Sequence, residues 1–250
     1  MNDPSTERLR DAFRFKRFTI RQDHSPMKVG TDGVLLGAWA PLREEDRRLL
    51  DVGTGTGLIA VMLAQRAAQA EITGVDIDDV GEARANGDAS PWGARLHFQQ
   101  TPIQAFFPPE RFDLIVSNPP FYVDSLTCPD AGRTAVRHTV HLSHEELIEA
   151  VVRLLAPGGR FAVVLPTPEA ERFRRLAADR LQLVRRTDVR TTPRRPVKRA
   201  LMAFARLEEV AALSPSEPLP QVNELVIGTG QHECYTPEYR ALTGDFYLKF

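Results

Sequence analysis

The run Asp113-Leu-Ile-Val-Ser-Asn118-Pro119-Pro120-Phe121 carries an apolar stretch onto two prolines and an aromatic ring. Proline lacks a backbone N–H and fixes its own φ, so the chain past Ser117 can neither extend a sheet nor enter a helix. A stiff turn then presents three groups: the side-chain carbonyl of Asn118, the backbone carbonyl of Pro119 and the flat face of Phe121. A conjugated amine is a weak nucleophile because its lone pair is delocalised. Two acceptors holding its hydrogens localise and aim that lone pair, and a ring alongside holds the planar group. Such chemistry runs on positioning and electrostatics. Taken alone, the same tetrapeptide reads equally well as a plain turn.

A second constellation lies upstream, in Asp51-Val-Gly53-Thr54-Gly55-Thr56-Gly57. The glycines let a backbone approach a ligand where a Cβ would clash. Asp76 stands 19 residues past Gly57, the interval at which an acid closing the next strand reaches ribose hydroxyls. A nucleoside-type cofactor is expected. The glycines recur at two and two rather than at the two and three of a dinucleotide fingerprint, and no Lys or Arg beside the turn would hold a pyrophosphate. Two acids suit a cationic cofactor instead.

The elements that must position these groups follow from the apolar pattern. Phe13 to Ile20 alternates apolar and polar residues and reads as a strand or extended arm. Val34 to Trp39 starts a short apolar helix. Leu49 to Val52, Ile72 to Asp76, Arg95 to Gln99, Phe112 to Ser117 and Phe161 to Leu165 read as strands. Leu58 to Ala68, a stretch ending near Gly87, Leu147 to Leu155 and Glu169 to Asp179 read as helices. Ser143-His-Glu-Glu146 has capping-box spacing. Leu181 to Arg190 and Arg199 to Leu207 form a final strand pair, with Val222 to Ile227 one more candidate. Alternating strands and helices predict an α/β fold with a parallel sheet and helices on both faces. Ligands of such sheets bind at the strands' carboxyl ends near the switch point, where the glycine turn, Asp76 and Asn118 all fall.

The chain has 250 residues, 42% hydrophobic and 26% charged, the balance of a soluble globular protein. No run approaches the length of a membrane helix, and Met1 to Arg10 lacks the apolar core of a secretory signal. Cytoplasm is the expected compartment. Cys128 and Cys234 sit beside no His/Cys cluster, so neither a metal site nor a disulfide is expected. The formal net charge is −1, yet seven basic residues against two acids crowd Arg8 to Lys28, and seven against one crowd Arg185 to Arg199. Two such segments, one interleaved with Phe13, Phe15 and Phe18, point to nucleic acid; either alone reads as solvated surface. Trp39 and Trp92 read as core.

The glycine loop with its two acids resembles that of class I S-adenosylmethionine-dependent methyltransferases. Asn118-Pro119-Pro120-Phe121 resembles the motif of amino methyltransferases acting on adenine N6, cytosine N4 or glutamine N5. Lys28-Val-Gly-Thr-Asp-Gly-Val-Leu-Leu-Gly-Ala-Trp39, Gly53-Thr-Gly-Thr-Gly57, Val75-Asp-Ile-Asp78, Ser90-Pro-Trp92, Tyr235-Thr-Pro-Glu-Tyr239 and Leu242 to Lys249 together look like the bacterial tRNA(Val) adenine-N6 methyltransferases, which modify the adenosine beside the anticodon. The resemblance implies a Rossmann-like class I methyltransferase fold with a mostly parallel seven-stranded sheet. It implies one methyltransferase domain over 1–250, with a basic arm and cofactor-closing segment at 1–45, the Rossmann-like core at 46–207 and a C-terminal extension at 208–250.

It also implies roles. Asn118 and the Pro119 carbonyl accept from the target amine, Pro120 stiffens the turn and Phe121 stacks. S-adenosylmethionine is held by Asp51, Gly53, Thr54, Gly55, Gly57, Asp76, Ile77, Ile103 and Asn118, with Lys28, Gly30, Thr31 and Asp32 closing the pocket. Arg14, Lys16, Arg17, Arg133, Arg137, Arg194, Arg195 and Lys198 are the candidate RNA contacts, and the partner is the anticodon loop of a valine tRNA, bound by a monomer or weak homodimer. Methyl transfer is expected to be direct. Many relatives place an acid after strand three to contact the cofactor adenine; here Pro102 stands in that region, leaving backbone groups near Ile103 and apolar contact. Two alternatives stay open: a glutamine-N5 protein methyltransferase, and a non-catalytic RNA- or cofactor-binding protein.

Overall fold

A computed structural model describes residues 11–25, 27–119, 142–210 and 219–249. In chain order the elements are β1 (Ala12–Arg14), β2 (Thr19–Arg21), α1 (Thr31–Trp39), β3 (Arg48–Val52), α2 (Leu58–Arg66), β4 (Glu71–Asp76), α3 (Gly81–Asp88), β5 (Leu96–Gln100), β6 (Phe112–Ser117), α4 (His144–Leu154), β7 (Leu155–Pro166), α5 (Thr167–Ala177), β8 (Leu181–Arg190), β9 (Val197–Arg206), α6 (Leu207–Val210), β10 (Gln221–Val226) and α7 (Pro237–Thr243).

The main sheet runs β10-β8-β9-β7-β6-β3-β4-β5. Its strands pair in parallel except where β9 meets β7 and β8. From β3 the chain crosses towards β4 and β5, and from β6 it crosses the other way to β7, so the switch point lies between β3 and β6. Successive residues feed opposite cores. Leu49 and Leu114 face the core shared with α1 and α2, whereas Leu50 and Ile115 face the one shared with α4 and α5. A strand buried on both faces reads as an unbroken apolar run, which is why these segments are legible. Ser143 accepts from the backbone N–H of Glu146, whose carboxylate accepts from the Ser143 N–H, so the capping box forms and starts α4.

Among the described residues the main sheet has eight strands rather than seven. The extra member is β10, which pairs in parallel with β8 from Gln221↔Arg185 to Val226↔Arg190 and so covers backbone groups that β8 would otherwise leave open. The arm over Phe13 to Ile20 is also revised. It is a two-stranded antiparallel hairpin, Ala12↔Arg21 to Arg14↔Thr19, and its aromatics point inward. Phe15 and Phe18 are 1% and 6% exposed, stack at 4.6 Å, and Phe15 lies 5.9 Å from the Tyr247 ring. Asn86 fastens the hairpin, accepting from the Arg21 N–H and donating to the Arg21 carbonyl. The helix beginning at Leu58 ends at Arg66 rather than Ala68, because Ala67 turns extended. Trp39 is buried as expected, and Trp92 packs against the same core.

Removing the Phe15 ring should therefore unsettle the whole molecule. Phe15→Ala is expected to destabilise it by about 3–5 kcal/mol, read as a lower denaturant midpoint with an unchanged slope; a midpoint equal to wild type would return this segment to a surface arm.

Candidate functional site

The site is built on the turn between β3 and α2. Gly53, Gly55 and Gly57 take φ of 71°, 52° and 80°, left-handed values that L side chains rarely adopt. A Cβ on Gly53 or Gly55 would project into open space, so these positions need glycine for backbone conformation, and the space beside them is free for a ligand. The Gly53 and Thr54 N–H groups donate to the Val75 carbonyl at 2.9 and 3.1 Å, which pins the loop over the end of β4.

Asp51 holds the turn from below. It is fully buried, and its Oδ2 accepts from the Thr54 hydroxyl at 2.8 Å and the Ala60 N–H at 3.2 Å. One carboxylate thus joins β3, the loop and the first turn of α2. Its Oδ1 is buried with no hydrogen-bond partner among the described residues. Burial pushes the carboxyl up to about 7, against the Thr54 and Ala60 hydrogen bonds and with a smaller push from Asp76. Such a group gains from a cationic donor. Thr54 therefore serves the loop through Asp51.

Asp76 closes β4. Its Oδ2 accepts from the Gly55 N–H at 2.8 Å and its Oδ1 from the Asp78 N–H at 3.1 Å. Each oxygen keeps a further lone pair for a hydroxyl. Ile77 next to it is 39% exposed and offers an apolar face. Ile103 does not: it is 4% exposed, and its carbonyl accepts from Arg153 at 2.9 Å. Gln100 Nε2 donates to the Ile77 carbonyl at 3.3 Å.

Asn118 follows β6 directly. Val52 and Ser117 are paired across β3 and β6, and the buried Ser117 hydroxyl donates to the Val52 carbonyl at 2.9 Å. Gly53 and Asn118 therefore leave adjacent strand ends. Asn118 is half-buried and Pro119 buried. The Asn118 Oδ1 has no hydrogen-bond partner among the described residues, so it is an acceptor awaiting a donor. Pro120, Phe121, Arg133 and Arg137 lie outside the described residues.

The segment before α1 is tied down from several sides. Gln22 Oε1 accepts from the Val29 N–H at 2.7 Å, Lys28 pairs with Asp11, and Gly30 and Thr31 open α1. Asp32, in the first turn, pairs with Arg199.

The basic residues divide. Arg190 pairs with Val197 across β8 and β9, and Arg199 lies opposite Pro166 at the end of β7. The hairpin 191–196 thus stands on the sheet edge that carries Asn118, with Arg194, Arg195 and Lys198 exposed. Their neighbours serve the fold: Arg185 lies 4.5 Å over the Trp39 ring, Arg186 pairs with Glu171 and Asp188, and Arg190 pairs with Glu224. Lys16 and Arg17 stand at the opposite edge. Lys16 donates to the Gly244 carbonyl at 2.5 Å, and Arg17 covers Trp92 at 5.1 Å, ahead of the start of β5. Arg14 is exposed on β1. Sequence reasoning missed Ser117 and Arg199 as parts of this neighbourhood; both act through partners far along the chain.

The Methyltransferase small domain family model matches residues 33–172. A tRNA1(Val) (adenine(37)-N6)-methyltransferase of Flavobacterium johnsoniae is 43% identical over 242 residues, 95% of this chain and 99% of the relative. A protein of the same description from Musicola paradisiaca is 43% identical over 244 residues, 95% and 94% of the two chains. Among solved structures, a predicted O-methyltransferase of Agrobacterium tumefaciens superposes with a TM-score of 0.66 at 17% identity, over 86% of this chain and 96% of that one, a likeness of fold. The chain belongs to the tRNA1(Val) (adenine(37)-N6)-methyltransferase family.

Proposed function

We propose that this protein methylates N6 of adenosine 37 in a valine tRNA, using S-adenosylmethionine. The observation that carries the reading is the buried, unpartnered Asn118 Oδ1 at a strand end adjoining the glycine loop. It is supported by the description of the Flavobacterium relative, 43% identical over 242 residues.

The residues present fit the cofactor. Asp51 Oδ1 lacks a donor, and a cationic α-amino group supplies one. The open lone pairs of Asp76 suit ribose hydroxyls, and the exposed face of Ile77 suits the adenine ring. The bare Gly53 and Gly55 leave the cofactor room to lie on the backbone. When bound, S-adenosylmethionine supplies an electrophilic methyl group. Asn118 then accepts one hydrogen of the target amine and the Pro119 carbonyl the other, which aims the nitrogen lone pair. The base next to an anticodon is already partly unpaired, so drawing it out costs a few kcal/mol or less, and stacking on Phe121 returns roughly 1–3 kcal/mol. Arg194, Arg195 and Lys198 grip phosphates on the same edge and fix position rather than base identity.

Tritiated methyl transfer to unmodified total tRNA, followed by nucleoside digestion, tests the reading. N6-methyladenosine from a valine tRNA is the expected product; label in protein alone would shift the substrate to glutamine. In the same assay Asn118→Ala should lower kcat by roughly two to three orders of magnitude while S-adenosylhomocysteine still binds, and loss of that binding would make the turn structural.

Asp51 makes the affinity depend on pH. Its carboxyl titrates at about 7 in the folded chain, so acidification protonates the group meant to meet the α-amino cation. Calorimetric affinity for S-adenosylhomocysteine should fall as the pH drops through 7, approaching about tenfold per unit below it. Stability of the free chain moves the other way. A carboxyl raised in the folded state stabilises below its unfolded value and loses that contribution as the pH rises through 7. Asp51→Asn should flatten both profiles.

Neutralising Arg194, Arg195 and Lys198 together should weaken tRNA binding and reduce the slope of log affinity against log salt by roughly 2. Lys16→Ala with Arg17→Ala should leave that slope near wild type. Filter binding across a salt series reads both, and the reverse pattern would move the RNA to the other edge.

A further inference from the structure

The C-terminal motif around Tyr239 has no part in the site, yet it packs against α1. Arg199 lies in β9 opposite Pro166, at the carboxyl end of β7. Its guanidinium pairs with Asp32, and the two side chains are only 12% and 26% exposed. Burial pushes the Asp32 carboxyl up, opposed first by Arg199 and then by Lys198. The Tyr239 hydroxyl lies 3.5 Å from that of Tyr247. Helix α7, which carries Tyr239, packs against α1. It is anchored by Thr236, whose hydroxyl accepts from the Tyr239 N–H at 3.2 Å and donates to the Val226 carbonyl. Helix α1 is therefore held from two distant stretches, by Arg199 of β9 through Asp32 and by α7 through packing.

The first turn of α1 needs this support. Gly30, ahead of it, has no side chain with which to cap the helix. The acid that answers the partial positive charge of the exposed N–H groups is Asp32, and the place of Asp32 is fixed by its partner. The pair acts through charge, the guanidinium of Arg199 standing against the Asp32 carboxylate.

We propose that Arg199 is a positioning residue for cofactor binding: its pair with Asp32, braced by α7, sets the first turn of α1 and the Lys28-to-Asp32 segment. The proposal rests on the reading of that segment as a wall of the cofactor pocket. In this reading Arg199 acts through Asp32 and not on the cofactor itself. Its loss is felt in how well the pocket is formed, hence in affinity more than in the chemical step.

The test compares wild type, R199Q, R199K, D32N and the D32N/R199Q double variant. The readouts are calorimetric affinity for S-adenosylhomocysteine, kcat and KM for S-adenosylmethionine, and the thermal midpoint. R199Q is expected to lose about tenfold in affinity and to gain about as much in KM, with kcat at saturation little changed. R199K, which keeps the charge, should recover most of the loss. The double variant should bind no more weakly than the weaker single, because both act through one pair. Wild-type affinity in R199Q would overturn the proposal, as would losses that multiply in the double variant or an R199K as impaired as R199Q. Should R199Q not fold, the double variant decides, since it leaves no unpaired buried charge: affinity equal to D32N supports the pair, and a further loss overturns it. If D32N binds weakly and R199Q normally, the cofactor reading stands and only the positioning falls; a wild type that binds no S-adenosylhomocysteine removes both.

Discussion

One buried carboxylate sets the terms for the rest of the structure. Asp51 sits at zero exposure with half of its hydrogen-bonding capacity filled by a loop hydroxyl and a helix N–H. A charge removed from water must find partners or give up its ionisation, and this one has gone part of the way, its carboxyl raised to about 7. The Thr54 and Ala60 bonds oblige β3, the loop and α2 to keep one relative placement. That placement forces the left-handed turns at Gly53, Gly55 and Gly57. The cost of the half-filled acid is thereby stored where a cationic ligand would relieve it, as strained or unsatisfied groups at ligand sites often are.

The sheet then decides what stands beside that acid. Because the chain crosses one way from β3 and the other way from β6, their two ends flank the switch point of the sheet. Into it come the glycine loop from one strand and Asn118 from the next, locked in step by the Ser117-to-Val52 hydrogen bond. Asp51 and Asn118, each with an Oδ1 that has no hydrogen-bond partner among the described residues, thus lie on adjacent strands near the same end of the sheet, though 67 positions separate them. In the proposed reaction one would offer its oxygen to a cation and the other to a neutral amine. A two-substrate site asks for that division.

Much of this was legible in the chain because the informative residues act locally. A glycine required by positive φ, an acid at the end of the next strand and a double proline after an apolar run each declare themselves within a few positions. So do the central strands, whose two buried faces leave no polar alternation. The hairpin at Ala12–Arg21 was not legible in the same way. A period of two fixes that alternate residues share a face, but not whether that face meets a core or a nucleic acid. Phe15 and Phe18 turned out to meet Tyr247 and Trp92, residues more than seventy positions away. The eighth strand was equally hard to place, since β10 is exposed along its first four residues and carries only one buried apolar side chain. Arg199 was hidden for another reason. In sequence it is one cation among seven, and only the fold sets it on Asp32.

That sorting of cations bears on how the protein meets its substrate. Counted along the chain, the stretch from Arg185 to Arg199 looks like a phosphate-binding strip. In the structure Arg185, Arg186, Arg190 and Arg199 are committed to Trp39, Glu171, Asp188, Glu224 and Asp32. The carboxylates paired with Arg186, Arg190 and Arg199 offset most of their long-range field, and salt removes more. What projects is a short exposed group on the 191–196 hairpin and Lys198, rooted in the same β9 that carries the Asp32 partner. A chain of net charge −1 then avoids indiscriminate attraction to nucleic acid while concentrating its free charge beside the site. The committed arginines are what make that geometry possible, since they fix the hairpin's base to the sheet and leave its tip exposed.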